Sequence, residues 1–167
     1  MPLEPKDIYT LEKAIWTERD FDTMGWHDAT IHGIGFDPEK YELLFDIDYI
    51  FAWVNPEPPA KHFTLWVAPS TLVFRNVCNV RCDIETSDGL EILDLSRKDP
   101  KTPVNAEYIV DKTEWTWILD TTRGEIQLNA VGFHQYTREK PKRMSRASFP
   151  LAERGGISFE KKELQMA

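Results

Sequence analysis

The spacing of apolar positions along the chain changes character near residue 24. Before that point Ile8, Leu11 and Ile15 recur at helical spacing, with Asp7 or Thr10 placed to cap, so the pattern predicts one short amphipathic helix ending before about residue 18. Beyond the polar stretch Glu18 to Thr23 the period falls to about 2 and stays there for most of the next hundred residues. The clearest strand is Tyr41 to Trp53, where every odd position is apolar: Tyr41, Leu43, Phe45, Ile47, Tyr49, Phe51 and Trp53. Its even positions are mixed (Glu42, Leu44, Asp46, Asp48, Ile50), so one face is buried and the other partly wet, as antiparallel sheets allow.

Ala29 to Phe36 reads as the hairpin partner of this strand, joined through Asp37-Pro38-Glu39-Lys40 as a type I turn. If Asp37 and Lys40 close the turn, Phe36, Ile34 and His32 oppose Tyr41, Leu43 and Phe45, and His32 becomes a core histidine. Further strands are expected at His62 to Val67, Leu72 to Asn76, Val80 to Thr86, Leu90 to Leu95, Glu114 to Asp120 and Glu125 to Phe133, with a last one at Ile157 to Phe159. Turn signals at Asn55-Pro56-Glu57-Pro58-Pro59, Ala68-Pro69-Ser70, Ser87-Asp88-Gly89 and Thr122-Arg123-Gly124 separate several of them. Ser96 to Lys112, with Pro100 and Pro103, reads as the longest surface loop. The fold class is therefore mainly β: an antiparallel meander forming a sandwich or half-barrel, with one short N-terminal helix.

Composition refines this picture through charge. The chain of 167 residues carries a net charge of −8, which disfavours nucleic acid and anionic membrane surfaces and favours a basic partner. Residues 1 to 137 hold 12 basic and 24 acidic side chains, a net of −12, whereas residues 138 to 167 hold 8 and 4, a net of +4. The organisation expected is one β-rich domain over 1–137 and a basic C-terminal extension over 138–167, folded back on the acidic body or irregular. Neither a basic n-region with an apolar core nor an apolar run of membrane length is present, so a cytoplasmic protein is expected. Cys78 and Cys82, four apart on one strand, stand beyond disulfide reach and read as small core residues.

The densest polar cluster is Trp26-His27-Asp28 with Asp46 and Asp48 one strand over. In the register above, His27, Glu42, Asp46 and Asp48 share one face, with Asp28 next to His27. Gly33 and Gly35 leave a trough there for a ligand or another backbone to approach. A histidine beside carboxylates can serve acid/base chemistry or hold a divalent metal. Two carboxylates spaced along one strand suit an acidic docking stripe better. His134 meets His27 only if the last strand neighbours the first, and His62 is expected at the surface. The sequence contains no G-x-S-x-G, H-E-x-x-H or G-x-x-x-x-G-K-[ST] motif, and no cofactor or catalytic residue is implied.

The succession W-H-D-A-T-I-H-G, Y-E-L-L-F-D-I-D-Y-I, T-L-V-F-R-N-V and G-E-I-Q-L-N-A-V-G-F, spanning roughly residues 24 to 136, resembles a family of small uncharacterised bacterial β-rich proteins. It also resembles some β-rich immunity proteins of bacterial polymorphic-toxin systems, which neutralise a cognate toxin. The net −12 of the body and the lack of catalytic motifs lead to the expectation of a noncatalytic, immunity-like protein-binding domain whose acidic sheet face, with Glu42, Asp46 and Asp48, docks a basic protein such as a toxin. The rival expectation is a metal-dependent enzyme or small-ligand binder built on His27, Asp28, Asp46 and Asp48.

Overall fold

The computed structural model describes residues 8–166. Ten strands follow in order: β1 (Ile15–Thr17), β2 (Thr30–Asp37), β3 (Glu42–Val54), β4 (Thr64–Arg75), β5 (Cys78–Ile84), β6 (Ile92–Lys101), β7 (Glu114–Thr121), β8 (Gly124–Ala130), β9 (Gly132–Thr137) and β10 (Lys142–Met144). Two 3-10 turns lie at Glu18–Thr23 and Ala106–Tyr108, and one helical turn, α1, at Leu151–Arg154. The first sheet runs β1-β9-β4-β3-β2, with β10 also on β4; the second runs β5-β8-β7-β6. Every pairing between these strands is antiparallel. The two sheets pack as a sandwich and do not close into a barrel.

The odd face of β3 turns inward, as the alternation predicts. Leu43, Phe45, Ile47 and Tyr49 meet Leu72 and Phe74 of β4, Trp117 and Leu119 of β7, Ile126 and Leu128 of β8, and Phe133 of β9. Rings of Phe74, Trp117 and Phe133 contact one another in tilted and edge-on geometry at 5.5 to 6.0 Å. The chain crosses between sheets at two corners. One is Asn76, in the left-handed region at φ 53, which an asparagine tolerates; the other is Val131, whose N–H donates to the Arg75 carbonyl.

Several expectations are corrected. No helix forms over the described part of the N-terminal segment. Asp7, one proposed cap, lies outside the described residues, and residues 8–14 are irregular before β1 docks on β9. A helix of two or three turns is marginal alone, and as an edge strand this segment gains ladder hydrogen bonds; the helical turn follows instead at Glu18–Thr23, capped by Thr17. Ala68-Pro69-Ser70 is no turn, because β4 runs straight through it. The Pro69 carbonyl accepts from Arg138 N–H at 3.0 Å, so its missing N–H faces the gap where β9 ends and β10 begins, and no ladder bond is lost. β6 likewise extends to Lys101 through Pro100, which is tolerated because β6 is an edge strand bulged between Lys98 and Lys101. The expected strand Glu125 to Phe133 breaks at Val131, where the chain changes sheet, and Ile157 to Phe159 is not a strand. Cys78 and Cys82 are exposed, since β5 is the other edge of its sheet.

The β2–β3 register also differs. Tyr41 adopts φ 56 and the turn is two residues longer than expected, so Asp37 pairs with Glu42 and Phe36 with Leu43. A bulge at His32 then shifts the pairing between Ile31 and Gly33. The bulge turns His32 away from the core and onto the face that carries Asp48.

Candidate functional site

The even face of β3 does not meet solvent. Residues from Arg138 onward fold across it, and a second apolar cluster of Ile50, Leu65, Val67 and Phe149 forms beneath them. The trough at Gly33 and Gly35 is filled by Ile157 and Phe159: a Cβ on Gly33 would stand 2.8 Å from Ile157 and 3.0 Å from Phe159. Small residues were needed there, and what approaches is the chain's own tail.

Asp46 and Asp48 are completely buried at the centre of this layer. Both oxygens of Asp46 accept from Arg154, Nη2 to Oδ1 and Nη1 to Oδ2, each at 2.6 Å. Arg138 Nη2 adds a bond at 2.9 Å and the Ser158 N–H one at 2.8 Å. Asp48 accepts from Arg154 Nε at 3.1 Å and from the Phe149 N–H at 2.8 Å, and its Oδ2 lies 2.7 Å from His32 Nε2. Burial alone pushes the Asp46 carboxyl upward, but the bonds from Arg154, Ser158 and Arg138 outweigh it and hold it below the usual carboxylate range. For Arg154 burial acts downward, and Asp46 and Asp48 reverse it, raising the guanidinium above its ordinary value. Glu42 is met at 2.6 Å by Lys161 of the same segment.

Of the residues singled out from sequence, Glu42, Asp46 and Asp48 are therefore neutralised by the chain's own basic tail and offer no open docking stripe. His27 is 68% exposed and pairs at 3.2 Å with Asp28; neither contacts Asp46 or Asp48. His134 lies on β9, separated from β2 by β4 and β3, so it does not converge with His27. Burial, with Arg75 beside it, lowers its pKa against the opposing pull of Glu18 and Glu42. Among the described residues no three His, Cys, Asp or Glu side chains gather closely enough to hold a metal ion.

The acidic face that remains open lies on the second sheet, on the side away from the core. Register places Asp94 of β6 opposite Asp120 of β7, Asp120 opposite Glu125 of β8, and Glu125 opposite Asp83 of β5. Their neighbours Leu95, Leu119 and Ile126 point into the core, so the carboxylates share the outer face. All four are exposed, and none makes an ion pair among the described residues. At about 4.8 Å between strands the row spans about 14 Å. Glu85, Asp88 and Glu91 flank it at the same end of the sheet, where Arg123 bonds Asp88 at 3.1 Å. The next row, Ser96, Ile118, Gln127 and Arg81, is nearly neutral, and Lys98 and Lys101 follow at the far end of β6. Lys101 is paired with Glu114 at 3.4 Å, so this face grades from strongly acidic to nearly neutral along the strands.

Sequence reading missed the row because its members come from four strands. Half of it was available: the turn at Thr122-Arg123-Gly124 fixes Asp120 against Glu125. Comparison with known proteins adds no constraint: no family model, no curated protein and no solved structure matches the chain. Among the described residues no helix is long and apolar enough to cross a membrane.

Proposed function

We propose that this chain is a noncatalytic, immunity-like protein-binding domain of the bacterial cytoplasm that docks a basic protein, such as a toxin, on the outer face of its second sheet. The observation that carries this reading is the unpaired row Asp83, Glu125, Asp120, Asp94. Like charges directly opposed across strands cost about 0.2–1 kcal/mol each, and the fold bears three such oppositions with no cation bound to them among the described residues. A surface that opposes its own stability in this way is explained by a cationic partner. Complementary charge would speed association and select that partner.

The test uses an immobilised oligo-lysine peptide as the cationic probe. Asp120→Lys with Glu125→Lys is compared with Glu12→Lys with Glu57→Lys, which has the same net charge but places it elsewhere on the exposed surface. Loss of binding and of its salt dependence in the first variant, with little change in the second, is the expected outcome. Equal effects in the two variants would show that only total charge matters and would overturn the assignment of the row.

A further inference from the structure

Among the described residues, strand β5 bonds β8 on one side and no other strand on its opposite side. The Glu85 N–H donates to the Arg123 carbonyl, and Asp83 and Arg81 share its phase toward β8. The N–H and C=O groups of Cys82 and Ile84, and the C=O of Val80, therefore point outward along an edge that no described strand covers. An edge of this kind is a template for another strand.

Its sequence is complementary to itself. Val80-Arg81-Cys82-Asp83-Ile84 reads apolar, basic, thiol, acidic, apolar about Cys82. Arg81 and Asp83 project on the outer face and make no ion pair among the described residues, whereas Val80 and Ile84 are partly buried against the core.

We propose that β5 pairs antiparallel with β5 of a second copy of this chain about a twofold axis at Cys82. In this register Arg81 of each copy faces Asp83 of the other, Val80 faces Ile84, and the two Cys82 residues face one another. The outward groups of Val80, Cys82 and Ile84 complete the ladder, and the two four-stranded sheets become one sheet of eight. Of the neighbouring registers that keep the hydrogen-bond phase, one sets Arg81 against Arg81; the other sets Asp83 against Asp83 and brings Arg81 to Glu85, which lies beyond the end of β5. The bulge between Cys78 and Arg81, with Asn79 at φ 53, ends the pairing on one side. The second copy takes up Asp83, one end of the proposed docking row, while Asp94, Asp120 and Glu125 stay open; the dimer does not depend on the proposed partner.

Sedimentation of the full chain without any partner tests this pairing. Wild type is expected to be a dimer; Arg81→Asp or Asp83→Arg alone should weaken it about tenfold or more, because each replaces two attractive oppositions with two repulsive ones. The double exchange Arg81→Asp with Asp83→Arg restores complementarity and should return the dissociation constant to within about threefold of wild type. A Cys78→Ser chain treated with copper phenanthroline, which accepts the two electrons released by the thiols, should cross-link through Cys82, since facing residues of a hydrogen-bonded pair stand about 5.5 Å apart at Cα, within disulfide range. A wild type that stays monomeric at about 100 μM, or a double exchange no better than the single variants, would overturn the proposal.

Discussion

Replacing Arg154 by methionine isolates the energetic role of the buried charge layer. The side chain is fully buried and donates to both oxygens of Asp46, to Asp48 and to the Gly156 carbonyl. Methionine fills similar length without charge and leaves two buried carboxylates short of their main partner. Removing one member of a buried pair costs about 3–5 kcal/mol. The lower part of that range is expected, because Asp46 keeps Arg138 and the Ser158 N–H while Asp48 keeps His32 and the Phe149 N–H. For a chain of this size a loss of about 3–4 kcal/mol corresponds to about 6–16 °C in melting temperature, readable by calorimetry, with tryptophan fluorescence in urea reporting the free energy itself. The pH dependence supplies a second, sharper reading. In the wild type the folded Asp46 carboxyl titrates below its ordinary value of 3.8, so its stabilisation is complete above that value and is lost as pH falls through the folded one. In Arg154→Met burial loses its chief opponent and the carboxyl titrates higher. Protonation of the native state then recovers part of the deficit as pH falls through that raised value, and the gap to wild type narrows. A loss below about 1 kcal/mol at pH 7, or a gap that widens on acidification, would refute the reasoning.

Further predictions concern other contacts. Asp120→Lys should stabilise the isolated chain by about 0.4–2 kcal/mol, since it turns two repulsive cross-strand oppositions into attractive ones; urea unfolding shows whether the sign is right. Gly33→Ala should cost about 1–3 kcal/mol by crowding Ile157 and Phe159, and faster trypsin cleavage at Lys161 and Lys162 would locate the effect in the C-terminal segment. Gly132→Ala places a Cβ against the Glu18 carboxyl, which bonds Arg75 at 2.9 Å and the Phe133 N–H at 3.3 Å; a loss of about 1–3 kcal/mol is expected in calorimetry. Trp117→Ala should cost about 3–5 kcal/mol and broaden the unfolding transition of the whole sandwich, because this ring is wholly buried between the sheets.

What the sequence made legible was the strand content and the inward face of β3, because a strict period of two leaves a buried strand few alternatives. Corners and handovers were not legible. Pro69 reads as a breaker until β9 and β10 are seen to divide one edge of β4 between them, and no local pattern reveals that division. The register of β2 slipped for a similar reason: Tyr41 in a left-handed turn position and an unpaired His32 are single-residue events that periodicity cannot register. The candidate site illustrates a different limit. Asp46 and Asp48 were rightly found on one face, but whether that face meets solvent depends on residues a hundred positions away. The opposite net charges of the two parts of the chain contained that information only as a total, without naming Arg138 and Arg154.

The arginine layer also imposes an order on synthesis. Asp46 and Asp48 leave the ribosome long before Arg154, which follows them by 108 and 106 residues. Until then the long central strand exposes an apolar face and carries unneutralised carboxylates on the other, and β1 has no β9 to pair with. Domains commonly fold as they emerge, but this sandwich can consolidate only after Arg138 and Arg154 have emerged, long after the strand whose carboxylates they neutralise. The same carboxylates that lock the finished fold keep the nascent chain charged, and therefore soluble, while it waits.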